Sequence, residues 1–257
     1  MRIRVVNPNT TAAMTALIGA SARAVAGPGV LVEAVTSAMG PASIESHYDE
    51  ALSVPGLLAA VAAGEADGVD GFVIACFGDP GLDAARELAR GPVVGIAEAA
   101  MHAATLLGRG FSVVTTLDRT RGRAWDLAAR YVAAGACRGV HACAIPVLAL
   151  DADPHLADRV TAVARLALDQ DGSDVIVLGC AGMAGLCDTV SSRLGVPVID
   201  GVAAGVLLVR SLITLRLSTS VHGEYARPPV KEYAGALSGF AQGDSANSPV
   251  SRGSRAM

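Results

Sequence analysis

The sequence predicts an α/β fold of two pseudo-symmetric lobes, each a parallel sheet flanked by helices. Three observations carry this reading. Short apolar runs alternate with helical patterns along most of the 257 residues, which is the signature of successive βαβ units. Hydrophobic residues make up 52% of the chain and aromatic residues only 4%, a balance that suits buried Val- and Leu-rich strands under Ala-rich helices. Third, the stretch "DGFVIAC" ending at Cys76 recurs 104 residues later as "DVIVLGC" ending at Cys180.

The elements follow in order. The apolar run 2–6 is the first strand, and 11–26 has helical spacing. Strand 30–36 is followed by the helix 49–66, and strand 71–76 leads into "GDPGLDAARELAR". There Asp79 and Pro80 read as the N-cap and first position of a helix. Strand 92–96 and helix 98–108 close the first half. The second half repeats the pattern with strand 111–116, helix 120–135, strand 141–147, helix 154–171, strands 174–180 and 196–200, and a final apolar helix over 201–216. After Cys76 and after Cys180 come a helix, a Pro-Val pair and an Ala-rich helix, so the two halves match beyond the cysteine motif.

These repeats divide the chain into a first lobe over 1–107 and a second over 108–217, each near domain size. The helix of about 201–216 is expected to cross back onto the first lobe. Residues 218–242 form a C-terminal extension. Residues 243–257, rich in Ser, Gly and Arg without apolar periodicity, are expected to be a disordered tail.

Composition narrows the function. A formal net charge of −4 with no basic block argues against nucleic acid and anionic membranes as partners. The N-terminal apolar run is too short for a signal peptide, and the longest apolar stretch, 201–215, contains Arg210 and is too short to span a bilayer. The protein is therefore expected to be cytoplasmic, with its five cysteines as free thiols.

Ligands of parallel α/β sheets bind beyond the carboxyl ends of the strands. Cys76 and Cys180 both stand there, and two halves related by a pseudo-twofold bring both thiols to one shared cleft. A lone buried cysteine is commonly a small hydrophobe, but the pairing favours function. Cys-x-x-Cys redox spacing is absent. Cys137, His141 and Cys143 match no zinc signature, so no metal is expected. A third use is two-sided proton transfer, in which one thiolate removes a proton from carbon and the opposite thiol returns one to the other face. Thiol and thiolate coexist near neutrality at an ordinary pKa of about 8.5, and a helix N-terminus is expected to lower that value. Glycine-rich turns after each cysteine offer backbone N–H donors for a developing enolate. "NPNTT", 7–11, ends the first strand, where Asn9 is either a helix cap or a ligand contact. Thr115 and Thr116 end the matching strand of the second half. The loop "GPASIESHYDE", 40–50, is expected to overhang the cleft, with His47 and Tyr48 as surface residues. Glu98 and Asp200 read as capping charges.

"NPNTT", "GPASIESHYDEA", "CFGDPGL", "GIAEAAMHAA", "LGCAGMA" and "VIDGVAA" together resemble the hydantoin racemase family, which includes allantoin racemases and lies within the aspartate/glutamate racemase superfamily. The resemblance runs from about residue 2 to 240. It implies an active site between the lobes, a two-cysteine mechanism without a cofactor, and a homo-oligomer, and it places Cys76 and Cys180 on the two catalytic positions. Amino-acid racemases of the superfamily resemble "CNT" and "CTH" at these positions. Here Phe77-Gly78 and Ala181-Gly182 follow the cysteines, which suits a flat neutral ring better than a zwitterion. The expected function is racemisation of 5-substituted hydantoins, allantoin being one member of that class. Cys76 and Cys180 would alternate as base and acid. Backbone amides around Phe77, Gly78, Ala181 and Gly182 would bind ring carbonyls, and Asn9, Ser43, Thr115 and Thr116 would line the pocket. The alternatives are another enzyme of the superfamily (an amino-acid racemase, a decarboxylase or a cis–trans isomerase), a redox dithiol protein, or a non-enzymatic two-lobed binding module.

Overall fold

The structure is a computed structural model and describes residues 1–241; the tail expected over 243–257 lies outside the described residues. Two four-stranded parallel sheets carry the chain. The first contains β1 (Arg2–Asn7), β2 (Leu31–Thr36), β3 (Gly71–Ile74) and β4 (Val93–Gly95) in the order β2-β1-β3-β4. The second contains β5 (Phe111–Thr115), β6 (Cys137–Ala142), β7 (Val175–Leu178) and β8 (Val198–Ile199) in the order β6-β5-β7-β8. The two orders are the same topology used twice, which gives the internal repeat its structural form.

Helices cover both faces of each sheet. They are α1 (Ala12–Ala26), α2 (His47–Ala66), α3 (Leu82–Leu88), α4 (Ile96–Thr105), α5 (Arg121–Tyr131), α6 (Leu156–Asp171), α7 (Cys187–Leu194) and α8 (Gly201–Thr214). Strand alternation sorts the buried side chains into layers. Val5 and Val73 of the first sheet and Phe111, Val113, Val175 and Val177 of the second share one core with Ala100 and Met101 of α4 and Val202 and Val206 of α8. The alternate residues Val6, Phe72 and Ile74 pack outward with Leu57 and Leu82. Val114, Ile176 and Leu178 do the same with Val160 and Val190. α4 and α8 therefore lie between the two sheets and bind the lobes together. Among the described residues no helix is long and apolar enough to cross a membrane.

The strand expected over 141–147 is corrected to Cys137–Ala142. Pro146 has no N–H for the ladder, and Ala144 adopts φ 54°, so the chain leaves the sheet after Ala142. The strand "CRGVHA" is an edge strand on which Arg138 is exposed and Gly139 buried, and such a sequence hides its alternation.

Asp79 is the second correction. It does not cap the helix that follows it, because α3 begins only at Leu82. Its backbone takes φ 45°, which swings the carboxylate across to the start of α4. There it accepts the N–H of Ala97 at 3.1 Å and of Glu98 at 2.9 Å, two of the donors a helix start leaves unpaired. Gly95 makes the approach possible, since a Cβ there would stand 2.2 Å from the Asp79 Cγ. Burial pushes the Asp79 carboxyl up to about 7 against the pull of those two N–H groups. The folded chain thus holds this proton more tightly than the unfolded one. The contribution to stability is present at low pH and is lost as pH rises from 3.8 through about 7. Urea unfolding of wild type and Asp79→Asn should show their stability difference moving against the wild type across that window. A difference independent of pH would contradict the assignment.

Asp200 caps α8 from its own N-cap position, accepting the Val202 N–H at 2.7 Å. Glu98 is spent on Arg86 at 2.7 Å.

Candidate functional site

β3 and β7 end alike. Each runs into a cysteine two residues past the strand, and each cysteine is followed by a turn. The two strands occupy the same place in their two separate sheets, and Cys76 and Cys180 line the same pocket of about 170 Å³. Both are free, half-buried thiols. In each turn the residue two positions on, Gly78 or Gly182, lies against the cysteine sulfur, and its backbone N–H pulls the thiol pKa down. From the sequence these two amides were expected to meet ring carbonyls. Both also lie beside the sulfur, because a cysteine leading into a tight turn lies over the next-but-one amide, as Ser and Asp do in their own turns.

The thiols are not acidified. Burial pushes Cys76 up to about 12, the Gly78 N–H pulls it back only in part, and the charges of Cys180, Asp79 and Glu50 add to the rise. Burial likewise pushes Cys180 up to about 11 against the Gly182 N–H, with Cys143 and Glu45 adding. The helix-terminus lowering expected from the sequence is therefore outweighed. Cys76 precedes the short α3 by a six-residue step, Cys180 opens a 3-10 turn over Ala181–Leu186, and the charges weighing on both are acidic.

Asn9, Thr115 and Thr116 are buried and line this pocket, as do Phe77, Gly78 and Ala181. The Asn9 Oδ1 accepts the Asn7 Nδ2 at 2.8 Å and the Thr11 N–H at 2.9 Å. Two donors on one atom fix which end of the amide is oxygen. Its Nδ2 faces the Met14 sulfur at 3.1 Å, a weak acceptor, and is a donor suited to a ligand carbonyl. Thr115 Oγ1 meets Thr120 Oγ1 at 3.0 Å.

Ser43 and Gly182 are not among the lining residues; the wall of the overhanging loop is Ile44, Glu45, Ser46 and His47. The cap of α2 explains the displacement. Ser46 Oγ accepts the Asp49 N–H at 3.1 Å, while the Asp49 carboxylate accepts the Glu45 N–H at 3.1 Å and the Ser46 hydroxyl at 2.7 Å. This closed box holds 44–47 at the pocket. His47, read from the sequence as a surface residue, stands at the pocket rim.

Residues that the sequence reading did not single out complete the lining. Glu50, Arg119, Thr120, Arg123 and Val147 are among them. Contacts cross between the lobes here. Glu45 accepts the Val147 N–H at 2.7 Å, and Glu50 pairs with Arg123 at 2.6 Å. Cys137, His141 and Cys143 do not converge: their partners are the Gly139 carbonyl, Asp171 and the Thr116 carbonyl respectively. Among the described residues no group of three or more His, Cys, Asp or Glu could hold a metal ion.

Comparison with known proteins identifies the chain's relatives. A family model described as Asp/Glu/Hydantoin racemase matches residues 3–209. A hydantoin racemase of Rhizobium meliloti is 49% identical over 236 residues, covering 91% of this chain and 98% of the relative. Among solved structures, allantoin racemase from Klebsiella pneumoniae superposes with a TM-score of 0.91 at 52% identity, covering 94% of this chain and 99% of its own. Allantoin racemase from Pseudomonas fluorescens does so with a TM-score of 0.88 at 41% identity, covering 91% and 100%.

Proposed function

The chain belongs to the Asp/Glu/hydantoin racemase family, and on that premise we propose that it racemises 5-substituted hydantoins, allantoin among them, with Cys76 and Cys180 as the two bases. The observation that carries this reading is the pair of half-buried thiols in one pocket, at equivalent strand ends, each with a backbone N–H on its sulfur.

The chemistry follows from that arrangement. C5 of a hydantoin lies beside a ring carbonyl, so loss of its proton gives an enolate that is flat at carbon. One cysteine, as thiolate, takes the proton from its own face. The opposite cysteine, as thiol, delivers a proton to the other face. The enzyme leaves the cycle with the two protonation states exchanged and returns to the start by proton exchange with solvent. The Gly78 and Gly182 N–H groups hold whichever sulfur carries the charge. The Asn9 amide donates to a ring carbonyl, and Phe77 supplies an apolar wall. No redox change and no added group are required.

The test is direct. L-hydantoins with alkyl, aromatic and ureido substituents at C5 should lose optical rotation with the enzyme, and the purified protein should keep this activity in EDTA. Iodoacetamide should abolish it, with substrate protecting, and alkylation should accelerate with pH because the thiolate is the reacting form. Failure to racemise any member of the panel would overturn the substrate class. Full activity after both cysteines are alkylated would overturn the mechanism.

A further inference from the structure

Cys76 and Cys180 occupy equivalent positions, but their turns are not held alike. The first turn is gripped from the opposite lobe. Arg123 of α5 donates Nε at 3.1 Å and Nη2 at 2.7 Å to the Gly78 carbonyl oxygen, and the same Nη2 pairs with Glu50 Oε1 at 2.6 Å. Glu50 is on α2 and Gly78 follows β3, so one guanidinium ties a second-lobe helix to two first-lobe segments beside the pocket. The Gly78 N–H that donates to Cys76 belongs to the same glycine whose carbonyl Arg123 holds. At the second turn the crossing contact is different: Glu45 reaches over to the Val147 N–H, five residues after Ala142 ends β6.

The first turn has reason to be held. It contains Asp79 at φ 45°, a strained conformation for a residue with a side chain. A planar fork with two donors on one carbonyl fixes a peptide far better than a single ammonium could.

We propose that Arg123 is a positioning residue for this reaction: from the second lobe it holds the Gly78–Asp79 peptide by its carbonyl, the N–H of that same peptide closes the turn on the Cys76 carbonyl at 3.0 Å, and the turn so fixed keeps the Gly78 N–H beside Cys76, while the guanidinium offsets the charge that Glu50 brings to that thiol. The role in turnover rests on the two-cysteine reading above; the effect on Cys76 does not. Nε and Nη2 are spent on protein groups, so these two donors act through the turn.

The charged and titratable groups facing Cys76 are Cys180, Asp79 and Glu50, with Arg123 paired to Glu50 and Glu45, His47 and Arg119 elsewhere in the lining. Glu50 disfavours the thiolate and Arg123 opposes Glu50. The two substitutions should therefore act with opposite signs, which loss of structure alone would not produce.

The measurement is the alkylation rate of Cys76 by iodoacetamide as a function of pH, read by mass spectrometry of its peptide in a Cys180→Ser background. This readout needs no substrate, so it stands apart from the hydantoin assignment. Arg123→Met should slow alkylation at fixed pH about tenfold, the equivalent of one pKa unit, and Glu50→Gln should speed it by a similar factor. The pair Arg123→Met and Glu50→Gln together should return it to within about threefold of the parent. Arg123→Lys keeps the charge without the fork. It should slow Cys76 less than Arg123→Met, and it remains informative if the methionine variant folds poorly. With both cysteines present, Arg123→Lys should lower kcat on whichever hydantoin is turned over and leave KM nearly unchanged. Equal alkylation rates for Arg123→Lys and parent, or a shift of the same sign from Arg123→Met and Glu50→Gln, would overturn the proposal. So would a large rise in KM without a fall in kcat, because Arg123 would then be binding substrate directly.

Discussion

Cys76→Ser and Cys180→Ser should each lose racemisation by about 10³-fold or more, the scale of removing a general base, and each should lose it in both directions. The second half of that statement is thermodynamic. Two enantiomers have equal free energy, so the forward and reverse kcat/KM must be equal, and a block on one face stops travel from either side. A serine hydroxyl cannot replace the missing base, because it is far too weak an acid to be ionised in the working range. The surviving cysteine keeps its own face. It can remove the C5 proton of one enantiomer and, after exchange with solvent, return a deuteron from the same side. In heavy water each variant should therefore wash out the C5 proton of one enantiomer without inverting it, and the two variants should choose opposite enantiomers. Proton NMR of each pure enantiomer decides the matter. Either variant racemising at the parent rate would sink the two-base mechanism, as would both variants exchanging the same enantiomer.

The architecture was legible in the sequence because its signals are local. "DGFVIAC" and "DVIVLGC" announce themselves as buried strands by their apolar runs, and their repetition implies two lobes before any contact is known. The same property placed Cys76 and Cys180 at strand ends, and parallel strands leave only one side for a ligand. Asn9, Thr115 and Thr116 were reachable by the same rule, since β1 and β5 stand at the centre of their sheets.

What could not be read depends on pairs far apart in the chain. Asp79 looks like the cap of its own helix because Pro80 follows it. Its true partners, Ala97 and Glu98, come near only through the pairing of β3 with β4. Arg123 looks like a solvated charge on an amphipathic helix, and its value lies in a carbonyl of the other lobe. Ser43 was misplaced by a loop whose direction is fixed by the Ser46–Asp49 box. That box has a sequence signature, Ser followed three residues later by an acid, and it could have moved attention to Glu45 and His47. The acidity of the thiols was misjudged for a similar reason. The turn that donates an N–H to sulfur is local, whereas the burial that outweighs it is supplied by both lobes.

That burial sets the second large effect, the pH dependence of turnover. The competent enzyme carries one thiolate and one thiol. With Cys76 pushed up to about 12 and Cys180 to about 11, both thiols are protonated at neutral pH in the open pocket, and the competent fraction is small. The two sites share a pocket, so their ionisations belong to the pair. The first ionisation makes the active form and the second destroys it. Below the first step the competent fraction grows tenfold for each pH unit. After subtraction of the enzyme-free rate, kcat/KM should therefore climb about a hundredfold between roughly pH 7 and pH 9, with no plateau in that interval. Thiols lowered by helix termini would behave otherwise, since their thiolate fraction would saturate near pH 8 and the profile would flatten. The measurement is kcat/KM for one hydantoin enantiomer across that range in buffers of constant ionic strength. A plateau reached by pH 8 would show that the sulfurs of the working enzyme are not raised by burial and would overturn this prediction. A slope near one throughout would show that the protein accepts a low resting population of thiolate and gains a stronger base in each one it forms.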